Sequence, residues 1–379
     1  MVLLAATLFA IAARSVTAEE LRLFPASSPG PLYFTAFDPG GEAGFRILDL
    51  EGSYPWTGVG GPSLGIEPEA LPGAEDLQDA APAPPEAPPR PPKKLFTTGT
   101  TLVTAGALAG GVLDGLLGPL HFGFKSFSFA DEGWFERSAY AGGADKCSHF
   151  IAASGVARLL FEVYKLQGHS EDQSFALALA TTIVTGALVE VGDGVTARSA
   201  TEPDGGLLGF SAQDLAADAL GTVAGLLINR NHLQDLLGLR LGRVPTSIPS
   251  EITDGYPSAQ SERYSGEIYT ADLRFGGLIT RLRARPGIAR YFLGSVVYFT
   301  KGFGYTPQLP TRYQETGFEV GLDIPAILTA AGVKETTWWG RGLLTVFSFF
   351  RIPFTQIGVY YNLTNHKWYG PAAPYHFYQ

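Results

Sequence analysis

The chain has 379 residues, with 27 basic and 36 acidic side chains and a formal net charge of -9. That balance argues against a nucleic-acid partner, which needs clustered Lys and Arg. The composition, 45% apolar and 17% charged, is too apolar for a disordered chain and suits a membrane-associated protein at least as well as a soluble one. One cysteine, Cys147, excludes an internal disulfide framework and any multi-cysteine metal or iron–sulfur site.

Met1 to Ala13 is almost wholly apolar, and Val16-Thr17-Ala18 supplies small residues just ahead of Glu19 and Glu20. This pattern predicts a signal peptide over 1–18 and export from the cytoplasm. No Lys or Arg precedes the apolar run, so an uncleaved anchor is the competing reading. No cysteine lies near residue 18, and a lipoprotein anchor is therefore not expected. Residues 19–65 alternate short apolar runs with turn clusters such as Asp38-Pro39-Gly40-Gly41, which predicts loops and weak strands. Residues 66–94 are rich in Pro, Ala and Glu; such a stretch forms neither a ladder nor a helix interior and reads as an extended linker.

A helical module is expected over 95–235. Leu95 to Leu120 carries Asp114 as its only charge, a length that suits a membrane span, softened by many glycines. Gln173 to Val189 is a second uncharged run at the short end for a span. Two amphipathic helices are predicted, from about Asp145 to Leu166 and from Ser211 to Ile228, the latter with Ser211 as N-cap. Over 255–379 the period changes. Glu267 to Phe275, Tyr291 to Phe299, Phe318 to Ile324 and Gln356 to Leu363 read as strands, with Phe318, Val320, Leu322 and Ile324 on one face. The fold class expected is α+β: a four-helix, partly membrane-like module followed by an antiparallel, aromatic-rich β region. Four to six strands are too few to close an outer-membrane barrel in one chain, so a sheet packed on the helices leads over part of a barrel.

Acidic residues and a histidine recur at helical spacing inside the apolar helices. Asp145 and His149 are four apart, Glu190 and Asp193 three apart, Asp214 and Asp218 four apart, so each pair shares a helix face. A buried ionised carboxylate costs several kcal/mol unless it is paired, hydrogen-bonded or bound to a cation. The three pairs therefore point to a shared polar centre, with Lys146 and Arg198 as counter-charges. Three readings are open. The first is a structural network in which Lys146, Asp193, Arg198, Ser211 and neighbours such as Arg158 satisfy the carboxylates. The second is a divalent metal site, for Zn, Mn or Mg, drawing ligands from Asp145, His149, Glu190, Asp214 and Asp218. The third is metal-free acid–base catalysis with His149 as base and Glu190 or Asp214 orienting it.

The stretch Tyr140-Ala141-Gly142-Gly143-Ala144-Asp145-Lys146-Cys147-Ser148-His149-Phe150 resembles the Asp-Lys-x-x-His-Phe signature of the YfiM-like family of bacterial envelope proteins. Glu190, Asp193, Ser211, Asp214, Asp218 and Gly221 follow in the order of that family's second motif. The same elements are more distantly similar to VanZ-type membrane proteins. Arg290 to Gly294, Tyr298 to Tyr305 and Arg351 to Thr355 look like the C-terminal region of the family's longer members. The resemblance implies envelope location on the periplasmic side, membrane association and a non-accidental polar motif, without a reaction. The expected function is a structural or interaction protein of the envelope, its partners membrane lipid or envelope proteins. The rival is a hydrolase of envelope lipid or glycan using His149, Glu190, Asp214 and Asp218. Oligomeric state is left open.

Overall fold

The computed structural model describes residues 95, 97–197, 209–243, 263–285, 287–301 and 313–372. The expected signal peptide, the 19–65 region, the Pro-rich linker and Arg198 lie outside the described residues. Four long helices form the first half: α1 (Thr98–Phe122), α2 (Ala144–Leu166), α3 (Glu171–Val195) and α4 (Ala212–Arg230). Local chemistry sets their starts. Thr97 caps α1 by accepting from the Thr100 N–H at 3.2 Å, and Ser170 with Gln173 forms a reciprocal capping box on α3. Ser211 caps α4 through the Asp214 N–H at 3.2 Å. The third helix outruns its uncharged segment at both ends, because the capping box begins it earlier and Glu190 and Asp193 are carried within its last turns.

The helices pack backbone to backbone through glycines. A Cβ on Gly192 of α3 would lie 2.0 Å from the Gly115 carbonyl oxygen of α1, and one on Gly221 of α4 would lie 2.0 Å from the Phe150 carbonyl oxygen of α2. Gly111 and Gly115, and Gly221 and Gly225, are four apart, so each pair clears one helix face for its neighbour. The glycines that soften the first apolar segment as a span are thus its contact with α3. Around these seams sits a core of Val103, Ala107, Leu160, Phe161, Tyr164, Ala178 and Leu226. Gly192→Ala is expected to cost about 1–3 kcal/mol or more, read as a lowered unfolding midpoint; an unchanged midpoint would show that α1 and α3 separate freely.

The second half is a six-stranded antiparallel sheet in chain order: β3 (Leu237–Arg243), β4 (Glu267–Arg274), β5 (Phe292–Lys301), β6 (Tyr313–Leu322), β7 (Gln356–Asn362) and β8 (Lys367–Ala372). A two-residue parallel pair, β1 (Phe129–Ala130) with β2 (Phe210–Ser211), precedes it in the helical half. Three shorter helices, α5 (Phe275–Arg281), α6 (Ile324–Ala330) and α7 (Trp338–Phe349), connect strands. The described residues therefore hold seven α-helices, and the expectation of four counts only those of the first module. Ile324 is helical rather than the end of a strand, because Asp323 caps α6 by accepting from the Ala326 N–H at 3.3 Å and Pro325 follows in its first turn.

The sheet is inverted relative to a usual one. Phe318 and Val320 do share a face, yet they are 61% and 49% exposed, while Glu319 between them is buried. Ion pairs fill the covered face: Arg240 with Asp272, Arg274 with Asp323 at 3.0 Å, and Arg351 with Glu319 at 3.0 Å. The Arg351 N–H donates to the Leu241 carbonyl at 3.0 Å, so the chain just before β7 returns to the edge at β3 and the sheet curls around its polar side. One end of the outer face meets the helices, where Tyr269, Leu239, Leu241 and Tyr298 pack with Ala144, Cys147, Phe150 and Ile151 of α2.

A buried acidic–histidine–lysine centre

The centre gathers where the start of α2, the end of α3 and the start of α4 meet. The turn before α2 needs left-handed backbone: Gly143 has φ 86°, and a Cβ there would lie 2.6 Å from the Trp134 carbonyl oxygen. The sheet holds this turn in place. Tyr298 and Gln314 both donate to the Gly142 carbonyl, Gln314 at 2.8 Å, and Gln314 also donates to the Phe135 carbonyl at 2.8 Å. From there α2 begins, and Asp145, Lys146 and His149 project from its first turns.

Lys146 is the hub. Its side chain is 1% exposed, and Nζ lies 2.6 Å from Glu132, 2.7 Å from Asp145 and 2.6 Å from Asp214. The β1–β2 pair brings the loop with Glu132 beside Ser211. Ser211 in turn donates its backbone N–H to Glu190 Oε2 at 2.9 Å while its hydroxyl caps α4. Tyr264, just ahead of β4, donates its hydroxyl to Asp145 Oδ1 and ties the sheet to the motif. His149 is the one member that solvent reaches, its side chain 22% exposed. Its Nδ1 lies 3.2 Å from Asp218 Oδ1, and its Nε2 faces Asp145 Oδ1 at 3.7 Å and Glu190 Oε1 at 3.9 Å. Asp218 is fixed from behind, since Gly186 of α3 leaves no room for a Cβ against its carboxylate.

The structure thus brings together Asp145, His149, Glu190, Asp214 and Asp218, named from spacing, with Lys146, named as a counter-charge, and Ser211, named as an N-cap. Asp193 is half-buried; its carbonyl accepts from the Thr196 N–H at 3.2 Å, and its side chain makes no hydrogen bond or ion pair among the described residues. Arg158 does not serve the centre: its Nε donates to Asn229 Oδ1 at 2.9 Å, further along α2 and α4. Glu132 and Tyr264 escape sequence reasoning. One lies in a loop and the other in a short 3-10 turn, so neither carries periodicity.

Electrostatics follow from burial and crowding. Five carboxylates (Glu132, Asp145, Glu190, Asp214 and Asp218) meet two basic side chains. Burial pushes the Asp145 carboxyl up, but His149 and Lys146 together outweigh it and hold it well below the usual range. Burial also works against charge on Lys146 and His149, and both are nonetheless raised, Lys146 by Asp145, Asp214 and Glu132, His149 by Asp145 and Asp218. Burial raises Asp214, with Asp145 adding to it. Glu132 goes furthest: burial first, then Asp145 and Asp214, push it up to about 10.

A raised carboxyl makes stability fall with alkalinity. The unfolded chain ionises Glu132 from its ordinary value of 4.5, whereas the folded chain resists until about 10. The contribution is intact below the lower value and lost as pH rises toward the upper one. His149 works in the same direction, because its charged form is the one the fold favours. Glu132→Gln, which mimics the neutral acid, is expected to fold at about pH 7 and to flatten the decline seen in thermal melts between about pH 5 and 9. A variant that declines as steeply as the wild type would contradict this assignment.

Residues 131–230 match a family described as predicted periplasmic lipoprotein, DUF2279. No curated protein and no solved structure matches the chain. The matched segment contains every residue of the centre except Tyr264. The match supports a place on the periplasmic side of the cell envelope, in membrane association. Cys147, the sequence's one cysteine, lies inside α2 and so is not a lipidated N-terminal residue.

Proposed function

We propose that this chain is a structural or interaction protein of the envelope membrane, of the YfiM-like kind that its Asp145-Lys146-x-x-His149-Phe150 motif resembles, and that the acidic–His–Lys centre locks its helices to its sheet. The observation that carries this reading is closure. Glu132, Asp145, Glu190, Asp214 and Asp218 are each at most 6% exposed, and Lys146 is ion-paired with three of them at once. A buried, ion-paired network specifies packing, whereas a substrate site is concave and open. The faces offered outward support membrane lipid as a partner. Helices α1 and α3 are each long and apolar enough to cross a bilayer, and Leu102, Leu113, Leu117 and Leu120 of α1 are exposed.

Thermal unfolding of Asp218→Asn in detergent tests the reading. Loss of a charge-assisted bond to His149 is expected to cost about 1.5–3 kcal/mol. Unchanged or raised stability would instead mark a polar group kept for chemistry at the expense of the fold. That outcome would favour the second reading, a hydrolase of envelope lipid or glycan with His149 as base and Glu190 and Asp214 orienting it. The solvent-reached edge of the His149 ring is the observation on its side.

A further inference from the structure

Two carboxylate oxygens of the centre have no hydrogen-bond partner among the described residues: Asp214 Oδ1, which Lys146 pairs at 2.6 Å, and Glu190 Oε1, which no cation reaches as closely. Glu190 is 1% exposed, its Oε2 is taken by the Ser211 N–H, and its Oε1 has no hydrogen-bond partner among the described residues. That oxygen is turned toward His149 Nε2, 3.9 Å away. An orphaned carboxylate oxygen so deeply buried is costly, and a native structure keeps one where something else completes it. Across the same gap Nε2 meets Asp145 Oδ1 at 3.7 Å. Both distances are too long for hydrogen bonds, and they are close to the separation of about 3.4 Å between adjacent donors around an ion with bonds of about 2.1 Å. Donor atoms of Asp145, His149 and Asp214 all lie within 4.8 Å of one another.

From this geometry we infer that the centre binds one divalent cation held by Asp145, His149 and Asp214, with Glu190 Oε1, 3.9 Å from His149 Nε2, aimed into the site as a further donor. Two independent features fit. Asp218 accepts at Nδ1, which fixes the ring, so that an entering ion which displaces the Nε2 proton finds its lone pair there, the arrangement that metal-bound histidines use. Lys146 holds the far oxygen of Asp145, while Oδ1 takes the Tyr264 hydroxyl on one lone pair and keeps another. One imidazole with carboxylate oxygens suits Zn²⁺ or Mn²⁺. The ion deepens the structural role proposed above, as a cross-link between α2 and α4 with Glu190 of α3 beside it, and rests on the centre being that structural node.

The full chain, purified in detergent and stripped with EDTA, is dialysed against Zn²⁺ or Mn²⁺ and its metal content measured. The expected result is about one ion per chain, with affinity at least about tenfold weaker in Glu190→Gln and in His149→Gln. The exposed control Asp172→Asn keeps wild-type binding. No stoichiometric binding of either ion, or equal binding in Glu190→Gln, overturns the inference. Should either centre variant fail to fold, pulsed electron spin resonance of Mn²⁺ on the wild-type protein decides: nitrogen coupling from one imidazole is expected, and its absence overturns the site. Failure here leaves the structural reading standing, since that reading is tested on metal-free Asp218→Asn.

Discussion

Lys146→Met is expected to be the most damaging single change in the helical half, costing about 3–5 kcal/mol. Methionine fills similar volume, so the loss is electrostatic rather than a cavity. The substitution leaves Glu132, Asp145 and Asp214 buried around a thioether, where one ammonium had met all three within 2.7 Å. An uncompensated carboxylate in low dielectric either stays charged at high cost or takes up a proton. The variant is therefore expected to recover part of its stability in mild acid. Denaturant unfolding in detergent at about pH 7 and 5 reads both effects. A cost below about 1 kcal/mol would mean that the centre is more solvated than its burial indicates.

Arg240→Met is the corresponding change in the sheet, with an expected cost of about 3–5 kcal/mol. Arg240 is fully buried and grips both oxygens of Asp272, one through Nε and the other through NH2 at 3.1 Å. Its loss leaves Asp272 with the Ser295 hydroxyl at 2.7 Å as its remaining described partner. Because the covered face is built on such pairs, the strands are expected to lose register, and near-ultraviolet circular dichroism should report it through the sheet's aromatic residues. A variant with a native near-ultraviolet spectrum and unchanged midpoint would show that the polar face is solvated. The double substitution Arg240→Met with Asp272→Leu is expected to be less harmful than Arg240→Met alone, since it removes the stranded charge.

The centre was largely legible in the chain because helices convert spacing into direction. Asp145 with His149 and Asp214 with Asp218 share faces by arithmetic, and the cost of burying them predicts that they meet. Glu132 and Tyr264 were not legible, since a loop and a 3-10 turn carry no period and only tertiary packing brings them to Lys146 and Asp145. The glycines of α1 were visible but ambiguous. Gly111 and Gly115 weaken a hydropathy signal, and only the partner helix shows that they are a contact surface. In the β region the alternation of Phe318, Val320 and Leu322 was clear, but alternation does not say which face is covered. Charged residues are ordinarily read as solvent-facing, and the pairing that buries Arg240, Glu319 and Arg351 runs between strands. The strand Leu237–Arg243 went unassigned for the same reason, as Gly238, Arg240 and Gly242 on one face look like a polar loop.

The claim that the centre locks the helices to the sheet rests on the bond from Tyr264 to Asp145. A double-mutant cycle of Tyr264→Phe and Asp145→Asn, followed by unfolding of the full chain in detergent, measures it. The account predicts a coupling of about 1–3 kcal/mol, with the helical and aromatic signals shifting together in each single variant. Additive effects, or a loss confined to the helical signal, would contradict it and leave the two halves held by apolar contact and by the Tyr298 and Gln314 bonds to the turn before α2.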